Sequence, residues 1–533
     1  MDATLLTAAR VLTPAVQPTD LDSVGIVDGT VVAVGRRDEV VAALPAGHRE
    51  VALGGRTVAP GFVDAHLHPL PMCFFEHHLD LANASSLVDV LDLLADRARA
   101  TDDGDWVLGM RLDDERLAER RLPTRVDLDR VGDGRPVVVL RRDGHHAVGS
   151  SSALAAAGID ENTPDPPGGT IHRDAGGLTG LCGETASSLL LSAVPVPPWA
   201  ALEGALSRVV ARLAGDGVTA ISAICQTGDI GPSGAAGALE AVAWSAFVEQ
   251  VPFDVQTVLV AATPAEVEAL RATALHRPDE RCRLDAVKLF LDGTLGGRTA
   301  CMHQPFADHG GAGMLTLEPE PAYCAMEAAH LAGLQICVHA IGDRANRVAV
   351  DLFDRLLAEH PTVDHRHRVE HASVLDEPTV ERLAARDITA VVQPISIESE
   401  RTWLAKRLGP ERLERVYPYR SLLDAGVTVA GSSDAPIEST GVLAAMRAAT
   451  DRLGVAPSQA VSPTEALAMY TTGGAIARRS EGVTGAIAAG RPADLVVLSD
   501  DPLSSLATCE VHATMAAGRV TFDPSGLLGG MPA

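Results

Sequence analysis

Residues 59–69 read Ala59-Pro60-Gly61-Phe62-Val63-Asp64-Ala65-His66-Leu67-His68-Pro69. An apolar, strand-like run ends in His-x-His. On an extended chain, side chains two apart leave the same face, so both imidazoles can converge on one metal ion. Taken alone, the pair reads more readily as two polar loop histidines than as a metal site. What surrounds it decides between the two.

Downstream, short apolar runs alternate with Ala/Leu/Arg-rich stretches of helical period, the signature of a parallel sheet or barrel. Eight runs read as strands: Thr57–Asp64, Val218–Ile224, Phe253–Val260, Ala286–Leu291, Gln335–Val338, His367–Glu370, Thr389–Val392 and Thr428–Gly431. Eight such units predict a (β/α)8 barrel of the TIM type, an α/β fold. The gap between the first two runs is too long for one helix. It holds a strand run of its own, Pro136–Leu140, and the loop-rich stretch Thr163-Pro164-Asp165-Pro166-Pro167-Gly168-Gly169.

Residues 72–205 are therefore expected to be an insertion after the first barrel strand, a lid or substrate-binding element. The barrel takes residues 57–71 and 206–479. Both chain ends are strand-rich: Gly25–Val34 pivots on Asp28-Gly29, a hairpin signal, and Ala493–Leu498 and Met515–Val520 read alike. Residues 1–56 and 480–533 are expected to meet in one small β-sandwich domain.

Composition narrows the classes. The chain has 533 residues, 46% hydrophobic and 21% charged, which suits a large packed core. Lys plus Arg number 44 against 70 Asp plus Glu, a formal charge of −26. So acidic a surface repels phosphate backbones, and with 3% aromatics there is little to stack bases on, so nucleic acid is excluded as a general partner. No apolar run approaches the ~18 residues of a membrane span, and the first residues lack a signal-peptide pattern. Eight scattered Cys with no CxxC suggest reduced thiols and a cytoplasmic protein. The expected partner is a small molecule, and the oligomer considered is a homodimer.

Other residues join the His66/His68 pair. His339 ends Ile336-Cys337-Val338, His371 follows Arg368-Val369-Glu370, and Asp434 follows Val429–Ser433. These lie at or beyond strand ends, the face on which barrels build active sites. Lys288 lies inside Ala286–Phe290, where a buried amine is costly unless paired or chemically modified.

With these residues in place, the chain resembles the metal-dependent amidohydrolase superfamily, in the branch that includes N-substituted formamide deformylase. The resemblance rests on Pro60–His68, Asp143-Gly144-His145, Pro166–Gly169, Arg173-Asp174, Lys288–Gly293, Arg298-Thr299-Ala300, His339–Asp343, Arg368–Ala372, Gln393-Pro394, Ser433–Pro436 and Gly490–Leu495. It implies a distorted barrel flanked by the β-sandwich and two divalent ions per chain, zinc by expectation. His66 and His68 would hold one ion and His339 and His371 the other. Lys288, carbamylated, would bridge them, with Glu184 as the fallback bridging carboxylate. Asp434 would bind metal and carry the proton. His145 is expected in the substrate pocket, and Arg298 either faces substrate or fixes a loop. Arg142 and Asp143 are expected to form a structural ion pair. The family often has Asn near Ser150–Ser152; this chain has none.

The reaction implied is hydrolysis of a C–N bond, with an N-formyl or N-acyl amine as substrate. Three rivals stand beside it. A heterocycle deaminase of the same superfamily would lack the bridging lysine and carry a Glu shortly after the fifth strand, where this chain has Ala340-Ile341-Gly342-Asp343. An ester or lactone hydrolase would use the same nucleophile. A non-catalytic relative would have lost ligands, and all six are present.

Overall fold

The computed structural model describes residues 2–13, 21–102, 104–228, 237–270 and 281–529. Its centre is a parallel sheet of eight strands, neighbours in chain order: β1 (Phe62–Leu67), β2 (Val218–Cys225), β3 (Asp254–Val260), β4 (Cys282–Phe290), β5 (Gln335–Ala340), β6 (Arg368–His371), β7 (Thr389–Val392) and β8 (Val429–Gly431). Each of the eight expected runs supplies one strand of this sheet, in whole or in part. The sheet curls back on itself. Past β8, the Asp434 amide donates to the His66 carbonyl and the His68 amide to the Ala435 carbonyl, both at 2.8 Å. Every residue of β2, β3 and β5 is buried, as expected where helices cover the outside and side chains fill the inside.

The helices obey the same burial rule. Asp343–Glu359, after β5, turns Ala345, Ala349, Phe353 and Leu356 inward on one stripe. Glu377–Ala385, after β6, starts where the Asp376 side chain accepts the Thr379 amide, with Pro378 in its first turn.

One expected strand is in fact two. Thr57–Asp64 breaks at Gly61. Thr57–Pro60 pairs antiparallel with Leu495–Leu498 outside the barrel, and β1 begins at Phe62. The reason is contact: a Cβ on Gly61 would lie 2.2 Å from Thr219 Oγ1, so the chain can cross from one sheet to the other only where a side chain is missing. The apolar pattern runs unbroken across Gly61 because both halves are buried.

The chain ends form two packed sheets. One orders Thr30–Gly35, Ser23–Val27, Ala3–Thr7 and Arg49–Ala52. The other orders Arg10–Val11, Thr57–Pro60, Leu495–Leu498, Val511–Ala516 and Arg519–Phe522. Leu6, Val24, Ile26, Val58, Leu495 and Met515 lie in the core between them. The hairpin at Asp28-Gly29 has both residues at positive φ, +46° and +78°, with Val27 opposite Thr30.

Between β1 and β2 the chain builds a separate six-stranded mixed sheet. Its strands are Leu79–Asp80, Val107–Leu112, Val137–Arg141, His146–Gly149, Gly169–Asp174 and Gly177–Glu184. Helix Pro69–His77 leads out of β1, and helix Trp199–Gly215 leads back into β2. The loop 141–146 of this sheet reaches the mouth of the barrel.

Candidate active site

The barrel brings the six expected residues together. His66 lies in β1 and His68 directly after it. Lys288 is inside β4, His339 inside β5, His371 ends β6, and Asp434 follows β8. The ligand atoms of His66, His371 and Asp434 all lie within 4.8 Å of one another. The Nε2 atoms of His66 and His68 each sit 3.2 Å from Asp434 Oδ1. Lys288 Nζ is 3.4 Å from His66 Nε2. The His339 ring stands edge-on to that of His371, centroids 4.4 Å apart. His371 and Asp434 occupy the left-handed region, at φ +73° and +57°. Such backbone conformations are costly and gather where a side chain must be aimed.

Three imidazoles are oriented by a second partner. His66 Nδ1 donates to the buried Glu370 carboxylate, which also receives Arg368 Nε at 2.5 Å. His371 Nδ1 donates to the Gln393 amide oxygen at 2.8 Å, and the Gln393 amide nitrogen in turn bonds Ser432 Oγ at 2.9 Å. His339 Nε2 donates to the Gly293 carbonyl at 3.2 Å. Carboxylate, amide oxygen and carbonyl can only accept, so each ring keeps its lone pair on the other nitrogen. That arrangement is the one a metal ion needs. Glu370 and Gln393 lie within the motifs that carry the resemblance, where nothing in the sequence marks either as a partner of a histidine. Glu370 directly precedes a candidate ligand, and no signal in the chain pairs Gln393 with His371.

Electrostatics agree with this donor set. Burial holds His68 and His339 below the ordinary histidine value and pushes His371 down to about 3, so these rings are neutral. Burial likewise pushes the Lys288 amine down toward its uncharged form. For Asp434 burial favours the neutral acid, but His66 and His68 outweigh it and hold the carboxyl well below the usual range.

The remaining expected residues divide. His145 lines the same cavity, its ring 6.0 Å from that of His339. Its Nδ1 lies 2.7 Å from Glu184 Oε2. Burial opposes charge on His145, yet Glu184 more than offsets it and raises the imidazole to about 9. Glu184 thus backs His145 and is not part of the ligand cluster, so the fallback bridge has no geometry here. Arg298 is not brought to the cavity: its guanidinium braces Asp308 at 3.2 and 3.0 Å. Asp143 pairs with Arg141 at 2.6 Å and not with Arg142, which is held by Glu438. Loop curvature, which sequence order does not reveal, chooses between the two adjacent arginines.

These groups close a cavity of about 350 Å3, the size of a small-molecule site. Among the described residues, no helix is long and apolar enough to cross a membrane. Comparison with known proteins is consistent over most of the chain. The sequence matches the amidohydrolase family over residues 49–522. It is 31% identical over 493 residues to the amidohydrolase YtcJ of Bacillus subtilis (strain 168), covering 89% of this chain and 91% of that protein. It is 28% identical over 522 residues to the N-substituted formamide deformylase of Arthrobacter pascens, covering 93% and 94%. An uncharacterized metal-dependent hydrolase from Pyrococcus horikoshii OT3 superposes with a TM-score of 0.74 at 25% identity, covering 94% of this chain and 98% of that one.

Proposed function

This chain belongs to the amidohydrolase family, metal-dependent hydrolases acting on carbon–nitrogen bonds other than peptide bonds, and from that premise we propose that it cleaves an N-formyl or small N-acyl amine. The observation that carries the reading is the convergence of Asp434 on His66, His68 and His371 beside a fully buried Lys288, at one cavity. His66 and His68 would hold one ion, and His339 and His371 a second. When bound, two divalent ions, zinc by the histidine-rich donor set, supply a water that is nucleophilic near neutral pH and a Lewis acid for the carbonyl.

The chain's own groups do the rest. Asp434, ionised at neutral pH, accepts the proton of the attacking water and returns it to the departing nitrogen. His145, with Nδ1 engaged by Glu184, offers Nε2–H to the substrate. Lys288 in its uncharged form can add carbon dioxide, losing one proton, to become a carbamate. Its two oxygens would supply the lone pairs that an ammonium lacks, so that Lys288 would help to hold both ions.

The deciding assay supplies the metal-loaded protein with N-formyl amines, small N-acyl amines, formate esters and aminopurines. Release of formate or a short acid with free amine is expected. Faster ammonia release from an aminopurine would overturn the reading in favour of a deaminase, and turnover of esters alone would make it an esterase.

A further inference from the structure

We propose that His330, His365 and His367 form an acid-sensitive lock at the base of the barrel, which holds the starts of β5 and β6 together and opens when a ring takes a second proton. The lock stands apart from the cavity and does not depend on the reaction proposed above.

The first observation is a chain of bonds that fixes where each proton sits. His330 lies in the last turn of helix Pro319–Leu331, just before β5. His365 and His367, 5% and 1% exposed, lie between helix Asp343–Glu359 and β6. The amide of Ile336, second residue of β5, donates to His367 Nδ1 at 3.1 Å. A ring nitrogen that accepts carries no proton, so the His367 proton is on Nε2, which donates to His330 Nδ1 at 2.9 Å. By the same count the His330 proton is on Nε2, 2.9 Å from the His360 carbonyl and 3.1 Å from Thr362 Oγ1. His365 closes a second branch. Its Nδ1 accepts the His367 amide at 3.0 Å, and its Nε2–H donates to the Arg386 carbonyl at 2.9 Å. Each ring thus gives one proton and receives one.

The second observation is that nothing nearby accommodates another proton. On His367 it would meet the Ile336 amide, on His365 the His367 amide, and on His330 the His367 ring. The His367 ring stacks on Phe353 and His365, centroids 5.6 and 4.7 Å away. Burial, His365, His330 and Arg479 all hold His367 well below the ordinary histidine value. Burial, His330 and Arg479 also hold His365 down, although the Arg386 carbonyl and Asp387 favour its charge. Other acids at this end are engaged elsewhere. Glu327 bonds His360 at 2.8 Å, Asp354 bonds Arg386 at 2.5 Å, and Asp364 and Glu481 bond Arg366 at 2.5 and 2.8 Å.

The lock acts on the two strands that carry His339 and His371, at their opposite ends. β5 and β6 pair from Cys337 and Arg368 up to Ala340 and His371, and the bond from Ile336 to His367 lies one step below. A histidine held below 6.5 in the fold contributes stability that is complete above pH 6.5 and is lost as pH falls below it. Acid therefore loosens β5 and β6 from the base upward.

The test is hydrogen exchange on the metal-loaded full chain, resolved to single amides and corrected for the intrinsic effect of pH. Between about pH 7.5 and about pH 5.5 the open form gains ~10-fold for each histidine it protonates, so with His365 and His367 released the protection of the Ile336 and His367 amides should fall ~100-fold. Amides in β2 and β3 should change by less than ~3-fold. His365→Asn keeps an acceptor for the His367 amide but takes no proton, and should reduce the fall to ~10-fold. The parent chain also decides by itself through the order of loss: Ile336 and His367 should open before Ala340 and His371. Unchanged protection at the lower pH would overturn the proposal. So would an equal fall in the parent and in His365→Asn, or loss beginning at Ala340 and His371, which would trace the acid effect to the proposed metal ligands.

Discussion

At the scale of single residues, the site separates groups that meet substrate from groups that aim them. In the proposed reaction Asp434 is of the first kind. Asp434→Asn keeps the shape but cannot accept a proton, so turnover should fall ~10²–10⁴-fold with the melting temperature little changed. Lys288→Ala would remove the proposed bridge, and short carboxylic acids added in solution should restore part of the activity; full activity without them would remove Lys288 from the mechanism. Glu184, bonded to His145 Nδ1, is of the second kind in the same reading. It raises His145 from the histidine value of 6.5 to about 9. The raised value means that the pair stabilises the fold fully below about pH 6.5 and that this contribution disappears as pH rises through about 9. Glu184→Gln should move the His145 titration, read by NMR, down from about 9, because burial is then opposed only by the smaller pull of Asp143 and Asp434. It should also flatten the stability profile between those pH values.

At the scale of elements, the crossing from sandwich to barrel is the tightest joint. Gly61 separates two strands that belong to different sheets, and Thr219 at the start of β2 fills the space beside it. Gly61→Ala should cost ~1–3 kcal/mol in chemical denaturation, as overpacking does. Thr219→Ala alone should cost little in hydrogen bonding, since Thr219 Oγ1 is buried without a hydrogen-bond partner. The double variant should recover most of the loss, a non-additivity that marks direct contact. Additive effects would place the constraint elsewhere.

At the scale of the whole molecule, the barrel is held together at its active face. The chain past β8 bonds to β1 through His66 and His68, the residues proposed to hold an ion. Ions bound only by the folded state stabilise it by mass action, ~2.7 kcal/mol at a hundredfold excess over Kd. Elemental analysis should therefore find about two divalent ions per chain. A chelator should lower the melting temperature, and zinc should restore it. A stoichiometry near one would take Lys288 out of the bridge. A melting temperature indifferent to the chelator would put the ions outside the closure.

The barrel was legible in the chain because eight buried parallel strands must be short, apolar and spaced by helices, and that pattern survives without coordinates. His66 and His68 were legible because a two-residue spacing is a statement about one face of a strand. His339, His371 and Asp434 were legible as residues at or near strand ends, and motif resemblance ordered them. What only the tertiary structure decided is pairing. Glu184 meets His145, Gln393 meets His371, Asp308 takes Arg298, and Arg141 rather than Arg142 takes Asp143. So too the apolar part of the cavity lining, where Phe74, Phe75, Trp199 and Leu239 come from three helices far apart in sequence and meet only in the folded chain. Local patterning records which face a side chain leaves from. Which partner it reaches depends on loop paths and on closure, and these are settled by packing over the whole chain.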